Sequence, residues 1–461
     1  MGSIMVSTKK VCVVGAGVSG LVAARELHRE GHAVTVLEQN NGVGGQWLYD
    51  TKVDAGDPLG LAGVHSGVYA SLRLIVPREV MSFLDFPFYP RHGGDGRRYP
   101  GHGEFLRYIR DYCDVFGIMD AVRLNTTVLR VAAIVGDDGN TWWTVRSCTR
   151  RRGEDDDDDV VTTTEEEVFD AVVVAVGQYA HPRLPTINGM ENWRRTHLHS
   201  HSYRVPDSFR GEVVVVVGCH ESGKDIAVDI SKVAMEVHIS VKSVDDVTAG
   251  VHKTLSRHHN LHLRPQIECL CEDGTVVFVD GTRVVADSVI YCTGYDYSYP
   301  FLDTGGVVTV DENRVGPLFE HTFPPALAPE LSFVGVPKKV VVPRFYEVQA
   351  KWLAQVLSGR RRLPPAEEML SSVEEYNSAQ EAAGVPKQSS HDLWDFEYCD
   401  EFGEKHCGFP RLPEWKKELM LSSIRNMYED HENFRDNNYE HSELVKEGLL
   451  SEGWLPDAER P

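Results

Sequence analysis

The sequence predicts an α/β protein built around two similar βαβ units. Residues 11–38 and 212–243 share the order strand, glycine-containing turn, helix and strand, and each unit is about 30 residues long. In both, a short apolar run precedes the glycines, which is typical of a strand buried in a parallel sheet. Further strand-like or helical runs lie at 141–150, 168–177, 287–302 and 347–359.

The first glycine turn, GAGVSG, has the spacing of a dinucleotide-binding site. Its candidate contacts are Gly15, Gly17, Val18, Ser19 and Gly20. Gly15 allows a tight turn, Gly17 lets the backbone approach a pyrophosphate, and Gly20 lets helix and strand pack closely. The helix N-terminus then faces the phosphates. Glu38 lies 18 residues after Gly20 (38 − 20), where a carboxylate can bind a ribose hydroxyl. The alternative is an ordinary glycine turn.

The second turn departs from this pattern in its middle. Its candidate contacts are Gly218, Cys219, His220, Glu221, Ser222 and Gly223. A side chain at His220 crowds a pyrophosphate, and Glu221 brings negative charge near it unless the side chain points away. We therefore interpret the site as modified or damaged. Lys242 follows the next strand and can pair with a 2′-phosphate, which favours NADP over NAD. The alternative is a solvated surface lysine.

Two nucleotide sites in one chain suggest a flavin in one and a nicotinamide in the other. Composition agrees with a globular protein, since 42% of the 461 residues are hydrophobic and 25% are charged. The net charge of −22 argues against nucleic acid or an anionic membrane as the main partner.

Targeting and redox features are weak throughout the chain. No apolar run approaches the ~18 residues of a membrane span, and the N-terminus lacks an apolar signal region. The nine cysteines show no disulfide-framework spacing. We expect a cytoplasmic protein with reduced thiols and no membrane span. The sequence carries no signal for oligomeric state.

Further motifs cover nearly the whole chain, namely GVGGQW (42–47), SLRLIVPREVMSFLDFPF (71–88), RRYPGHGEFLRYI (97–109), HSHSYR (199–204), SGKDIA (222–227), YCTGYDYSYPFL (291–302) and PRFYEVQAKW (343–352). Together with the first glycine turn and Glu38, these motifs resemble the flavin-containing monooxygenases. EDGTVVFVDG (272–281) and SGKDIA are similar to the plant S-oxygenating, glucosinolate S-oxygenase-like branch. They are less similar to the branch that makes auxin.

The resemblance implies two Rossmann-type dinucleotide-binding domains, with an NADPH domain at 180–326 inserted into an FAD domain. The FAD domain then takes 1–179, with an acidic loop at 150–167, and 327–461, with a helical C-terminal region. The resemblance further assigns Gly45, Gln46 and Trp47 to FAD. In the family, NADPH reduces the flavin, oxygen adds at C4a to give a hydroperoxide, and a soft sulfur or nitrogen nucleophile attacks its distal oxygen.

Among the residues that depart from the family motifs, Ile75 is expected to lie nearest to the flavin. It stands where the family usually has the asparagine of Thr-Asn-Leu, in a position expected close to the flavin. Isoleucine has no hydrogen-bond donor or acceptor, so we expect a shortened intermediate and partial uncoupling. The alternative is that Ile75 only packs the core while a neighbouring polar group replaces the amide.

Two other clusters could suggest metal, and we predict none. The family fingerprint FxGxxxHxxxY keeps His199 and Tyr203 here but has Trp193 and Arg195 in place of phenylalanine and glycine. It already accounts for the three alternating histidines at 197, 199 and 201. The CxC of Cys269 and Cys271 lacks the second pair of a zinc site.

We predict an FAD- and NADPH-dependent monooxygenase that inserts one oxygen atom of O2 into a soft nucleophile of a small molecule. The expected substrate is a sulfide, oxidised at its thioether sulfur, or an amine. Two alternatives remain open, namely a poorly coupled NADPH oxidase that releases hydrogen peroxide and a non-catalytic flavin-binding protein.

Overall fold

The protein is described here from a computed structural model that covers residues 8–51, 56–61, 66–136, 141–152, 160–437 and 442–455. The α-helices in these ranges are α1 Val18–Arg29, α2 His102–Val115, α3 Glu221–Ser231, α4 Ala249–Arg257, α5 Arg344–Leu357, α6 Ala366–Ala382, α7 Phe396–Cys407, α8 Glu414–Glu429 and α9 Glu443–Ser451. The strands are β1 Lys10–Val14, β2 Ala33–Leu37, β3 Val122–Arg123, β4 Thr126–Val135, β5 Thr141–Arg152, β6 Val160–Phe169, β7 Ala171–Val174, β8 His181–Pro182, β9 Thr196–His199, β10 Val213–Val217, β11 Glu236–Ser240, β12 Leu261–Arg264, β13 Ile267–Leu270, β14 Thr275–Phe278, β15 Arg283–Val285, β16 Ser288–Tyr291, β17 Tyr295–Asp296, β18 Leu302–Asp303, β19 Thr309–Asp311, β20 Arg314–Gly316 and β21 Leu331–Phe333.

The first parallel sheet has the strand order β21-β7-β1-β2-β3. Both faces of β1 are buried, because Val11 and Val13 pack in the core with α1 and α5, while Cys12 and Val14 pack in the core on the opposite face. A strand covered on both sides reads as a continuous apolar run, which is why KVCVV lacks alternation.

The second parallel sheet has the order β12-β11-β10-β16-β9. Its central strand β10 is again buried on both faces, with Val214 and Val216 on one side and Val215 on the other. The predicted α/β fold with two Rossmann-type units is therefore confirmed, and each unit forms the centre of its own sheet.

An antiparallel ladder joins β4, β5 and β6 beside the first sheet. The segment predicted as an acidic loop, 150–167, lies at the end of the hairpin that β5 and β6 form, because residues 150–152 and 160–167 belong to these paired strands, and residues 153–159 lie outside the described ranges. The predicted strand at 168–177 is divided as well. Residues 168–169 end β6, and the chain then enters the parallel sheet as β7 at Ala171.

The chain returns from the second sheet to the first unit before residue 326. In β18, Leu302 pairs with Val131 of β4, and β21 completes the first sheet beside β7. The strands of the first sheet therefore come from before and after the second sheet in the chain, as expected if the second unit is inserted into the first. For the domain boundaries we propose a first boundary near residue 180, and a return near residue 300 rather than at 326.

The C-terminal part is helical, as predicted, and contributes α6 to α9. The predicted helix at 347–359 is observed as α5, which begins three residues earlier at Arg344. Among the described residues, no helix is long and apolar enough to cross a bilayer.

Candidate active site

Two glycines of the first turn are required by the packing of the protein itself. Gly15 has a φ of +103°, and a Cβ there would lie 2.6 Å from the carbonyl oxygen of Ala175. A Cβ on Gly20 would lie 1.9 Å from the carbonyl oxygen of Gly15. Neither position has room for a methyl group, so both glycines are explained without a ligand.

Gly17 is different, because the chain does not require glycine there. Its φ of −78° and ψ of −175° suit any residue, and a Cβ would lie 3.6 Å from Cα of Gly45, an ordinary contact. The two glycine backbones face each other at the N-terminus of α1, where free N–H groups favour an anion. A methyl at Gly17 would fill this cradle, so the site fits a pyrophosphate.

The loop at residues 42–47, which is predicted to contact FAD, is hydrogen-bonded to the first glycine turn. The backbone N–H of Gly44 donates to the carbonyl oxygen of Ala16 at 2.9 Å, and the Gln46 carbonyl oxygen accepts from the hydroxyl of Ser66 at 2.6 Å. Trp47 packs edge-on against Phe105 with ring centroids 4.8 Å apart. The bond from Gly44 and the close approach of Gly45 to Gly17 place this loop beside the glycine turn, and the assignment of Gly45, Gln46 and Trp47 to FAD stays a prediction.

Glu38 is buried at the end of β2, beside the same turn. Its Oε2 accepts from the backbone N–H of Ala16 at 2.7 Å. Its Oε1 accepts from the backbone and side-chain nitrogens of Asn40 at 2.8 and 2.7 Å. A carboxylate oxygen has two lone pairs, so Oε2 can accept a further hydrogen bond from a ribose hydroxyl.

Ser19 faces into the protein instead. Its hydroxyl donates to the carbonyl oxygen of Ala175 at 3.3 Å, and a Cβ on Gly335 would lie 3.0 Å from its Cβ. Val18 is also buried, in the core with α5. Both predicted contacts therefore have packing roles, and any nucleotide contact from them comes through the backbone.

The second turn repeats the geometry of the first. Gly218 has a φ of +106°, and a Cβ there would lie 2.6 Å from the carbonyl oxygen of Cys292. A Cβ on Gly223 would lie 2.1 Å from the carbonyl oxygen of Gly218. The equivalent values in the first turn are +103°, 2.6 Å and 1.9 Å. The three residues that differ from the first turn, Cys219, His220 and Glu221, therefore leave the shape of the turn nearly unchanged.

His220 occupies the position of Gly17 without backbone strain. Its φ of −86° and ψ of −169° nearly match those of Gly17, and its side chain is exposed. Glu221, in the first turn of α3, has Oε1 3.9 Å from Nζ of the buried Lys224. Lys224 therefore offsets the negative charge at this N-terminus, and we interpret the turn as modified rather than damaged.

The other predicted contacts of the second unit differ in exposure. Ser222 is exposed in the first turn of α3, and Cys219 is partly buried. Burial raises the pKa of the Cys219 thiol, so this thiol is not activated as a nucleophile. Lys242 is exposed two residues after β11, and it forms no salt bridge with any described residue. Its ammonium group is available for a 2′-phosphate.

Ile75 does not pack in the core. It is 42% exposed, whereas the preceding Leu74 is 2% exposed and belongs to the core around α1 and α5. The backbone N–H of Leu74 donates to the carbonyl oxygen of Pro100 at 3.0 Å, and this bond, with the isolated bridge between Arg73 and Gly101, fixes the backbone before Ile75. Ile75 is therefore a partly exposed neighbour of the core rather than a member of it, and the role of this position stays a prediction.

The fingerprint histidines and tyrosine have structural partners. His199 Nδ1 accepts from the backbone N–H of His201 at 3.1 Å, and the Tyr203 hydroxyl donates to Oδ2 of Asp229 on α3 at 2.8 Å. Burial, with the nearby His201, lowers the pKa of His199 to about 4. Within the described ranges, no group of three or more His, Cys, Asp or Glu is arranged to hold a metal.

Arg204 was missed by the sequence analysis although it ends the HSHSYR motif. It is buried, and its guanidinium donates at 2.7 to 2.9 Å to four backbone carbonyl oxygens, those of Asp50, Ser66, His201 and Tyr203. Arg204 therefore joins the fingerprint to the loops that precede Ile75. No spacing rule predicts such a role, because its acceptors are backbone groups.

Two dinucleotide turns of matched geometry, on separate parallel sheets, define a two-nucleotide oxidoreductase fold. A family model described as flavin-binding monooxygenase-like matches residues 8–258 and 258–415. The chain belongs to this family and is a flavin-dependent monooxygenase. Of the predicted cofactors FAD and NADPH, this membership confirms the flavin.

Individual relatives agree with this membership. The chain is 51% identical over 453 residues to "Flavin-containing monooxygenase FMO GS-OX-like 9" of Arabidopsis thaliana, covering 96% of each chain. It is 43% identical over 451 residues to "Flavin-containing monooxygenase FMO GS-OX4" of the same plant, covering 96% of this chain and 94% of the relative. The solved structure of S-allyl-L-cysteine S-oxygenase from Allium sativum is 41% identical, with a TM-score of 0.88, and the match covers 98% of this chain and 100% of that one. The resemblance to the plant S-oxygenating branch is confirmed.

Proposed function

We propose that the protein is an S-oxygenase that converts a small-molecule thioether to its sulfoxide with NADPH and O2. The observation that carries this proposal is the 41% identity to S-allyl-L-cysteine S-oxygenase over 98% of the chain. The reaction balances as thioether, O2, NADPH and one proton giving sulfoxide, water and NADP⁺. Bound flavin and nicotinamide supply the hydride transfer and the activation of oxygen.

The residues of the first turn would hold FAD. The N-terminus of α1 and the facing backbones of Gly17 and Gly45 offer N–H groups to the pyrophosphate, and Glu38 offers Oε2 to the ribose. The fit rests on Gly17, the glycine that the packing of the chain does not require.

The residues of the second turn would hold NADPH. Gly218 and Gly223 keep the turn shape, Lys224 offsets the charge of Glu221, and Lys242 supplies a positive charge to the 2′-phosphate. The exposed His220 weakens the approach to the pyrophosphate, so we propose NADPH binding weaker than is usual for the family.

Ile75 supports a second activity of the same site. Its side chain is exposed next to a fixed segment and has no group that can donate or accept a hydrogen bond. It can exclude water but cannot hold a bound nucleotide or reacting oxygen. We propose that part of the NADPH consumed yields hydrogen peroxide instead of sulfoxide.

The test measures sulfoxide formed and hydrogen peroxide released per NADPH consumed, with S-allyl-L-cysteine and a simple dialkyl sulfide as substrates. We expect sulfoxide with a measurable peroxide fraction. One peroxide per NADPH with every thioether and amine tested would contradict S-oxygenation and support an NADPH oxidase. Flavin that NADPH does not bleach without oxygen would contradict both.

We also propose a cytoplasmic location for the protein. All nine cysteines are free thiols, which agrees with a reducing compartment. A fluorescent fusion that enters the secretory pathway would contradict this.

A further inference from the structure

The segment that follows α8 contacts both nucleotide units. We call residues 430–436, DHENFRD, the clasp. On the second unit, Nη1 and Nη2 of Arg257 each donate to the carboxylate of Asp430 at 2.6 Å. A Cβ on Gly250 of α4 would lie 2.9 Å from the backbone nitrogen of His431. The clasp is thus closely packed on α4.

The clasp also binds the helix of the second glycine turn. Asp225, one turn into α3, accepts from Nε2 of His431 at 2.9 Å and from Nη2 and Nη1 of Arg435 at 2.7 and 3.2 Å. Burial acts to raise the pKa of Asp225, but the charges of Arg435 and His431 hold it well below its usual range. Arg435 is only 9% exposed, so this ion pair is largely shielded from solvent.

The same arginine reaches the first unit. Nε of Arg435 donates to the carbonyl oxygen of Leu74 at 3.1 Å, across 361 residues of sequence. This carbonyl belongs to the peptide bond that begins Ile75. Nearby, Arg73 Nη1 donates to Asp436 at 3.0 Å. One guanidinium therefore connects α3 with the peptide that sets the direction of the Ile75 side chain.

A second hydrogen bond, which does not involve the clasp, connects residues 69–73 directly to α3. The Ser71 hydroxyl donates to Oδ2 of Asp229 on α3 at 2.7 Å. Between α3, the clasp and residues 69–73 lies a cavity of about 190 Å³, and polar or charged residues make up most of its lining, although their apolar atoms contribute about half of the surface. Tyr69 and Leu72 of residues 69–73 pack in the core that includes α3. The hydrogen bonds and ion pairs of Ser71, Asp225 and Arg435 line the cavity beside this core and add to its hold on the segment.

We propose that Arg435 is a positioning residue that couples nicotinamide binding in the second unit to the placement of Ile75. α3 begins at the second glycine turn, so a nucleotide that orders this turn also orders Asp225. Because Arg435 is bound to Asp225 and donates to the Leu74 carbonyl oxygen, a fixed Asp225 restricts the motion of this carbonyl and therefore of Ile75. The proposal rests on the assignment of NADPH to the second turn.

The test follows backbone hydrogen exchange in residues 72–76 of the FAD-loaded protein, with and without saturating NADP⁺. In the unmodified protein we expect NADP⁺ to slow exchange about fivefold, the effect of one ordinary hydrogen bond. Arg435→Met should lose this protection while NADP⁺ still saturates the protein. Arg435→Lys keeps the charge beside Asp225 but cannot also reach Leu74, so it should lose the protection even if the methionine variant folds poorly.

Arg257→Gln is the matched control, because Arg257 anchors the same clasp but does not touch residues 69–75. This variant should lose stability and keep the NADP⁺-dependent protection. Protection that persists in both Arg435 variants, or is lost equally in Arg257→Gln, would overturn the coupling. If unmodified protein does not bind NADP⁺, both the assignment of NADPH to the second glycine turn and the proposed coupling are wrong. Normal NADP⁺ binding without the expected difference overturns the coupling alone.

Discussion

Gly17→Ala should remove FAD while leaving the fold intact. The φ of −78° suits alanine, and the new methyl would lie 3.6 Å from Cα of Gly45, an ordinary contact. Reduced freedom of the unfolded chain contributes about 0.4–1 kcal/mol of stability, and alanine is a poorer N-cap than glycine by a similar amount. The two effects nearly cancel, so we expect the free energy of unfolding of the flavin-free protein to change little.

The effect on FAD should be much larger. A methyl between the turn and the pyrophosphate moves a phosphate away from its N–H donors, and each hydrogen bond to a charged group is worth about 1.5–3 kcal/mol. Losing one such bond weakens FAD binding about 10- to 150-fold. Flavin absorbance per protein after desalting, with thermal unfolding of the flavin-free form, measures both effects.

Gly20→Ala is the control for this experiment. Its Cβ would lie 1.9 Å from the carbonyl oxygen of Gly15, so helix and strand must separate and the flavin-free protein should lose about 3 kcal/mol or more. If Gly17→Ala keeps stoichiometric flavin through desalting, our assignment of the first turn to the pyrophosphate is wrong. If it unfolds as Gly20→Ala does, our separation of ligand and packing roles is wrong.

Three further predictions concern other parts of the molecule. Burial lowers the pKa of both His199 and His321 to about 4, so between about pH 6.5 and 4 the unfolded chain binds more protons and stability falls as the pH falls. Each should cost about 2 kcal/mol at pH 5 relative to pH 7.5, and denaturant unfolding that shows equal stability at both pH values would contradict this. Lys242→Ala should reduce the preference for NADPH over NADH in kcat/KM by about 10-fold, a loss of roughly 1.4 kcal/mol, and an unchanged ratio would show that Lys242 is only a surface lysine. Ile75→Asn should lower the hydrogen peroxide released per NADPH without changing FAD content, whereas an unchanged ratio would make the residue at this position neutral.

The sequence alone determined the two βαβ units and the glycines that shape their turns. A turn, a strand and the following helix are local, so the spacing of Gly15 and Gly20, repeated at Gly218 and Gly223, is enough to predict them. The same is true of the buried strands, because a parallel strand covered on both faces must be apolar throughout. The family motifs also indicate the flavin monooxygenase class, because they are short stretches of sequence that can be recognised without any tertiary contact.

Only the tertiary structure decided which side chains meet across these units. The sequence cannot separate Gly17, which the chain does not need as glycine, from Gly20, which it does, because the difference lies in the distance to Gly45 and to a carbonyl oxygen. Nor can it place Arg435 beside Leu74, since 361 residues separate them. The second unit is inserted between the two positions, so no periodicity of the sequence relates them. The exposure of Ile75 follows from the same contacts, because packing of Leu74 and the fixed peptide after it turn the isoleucine outward.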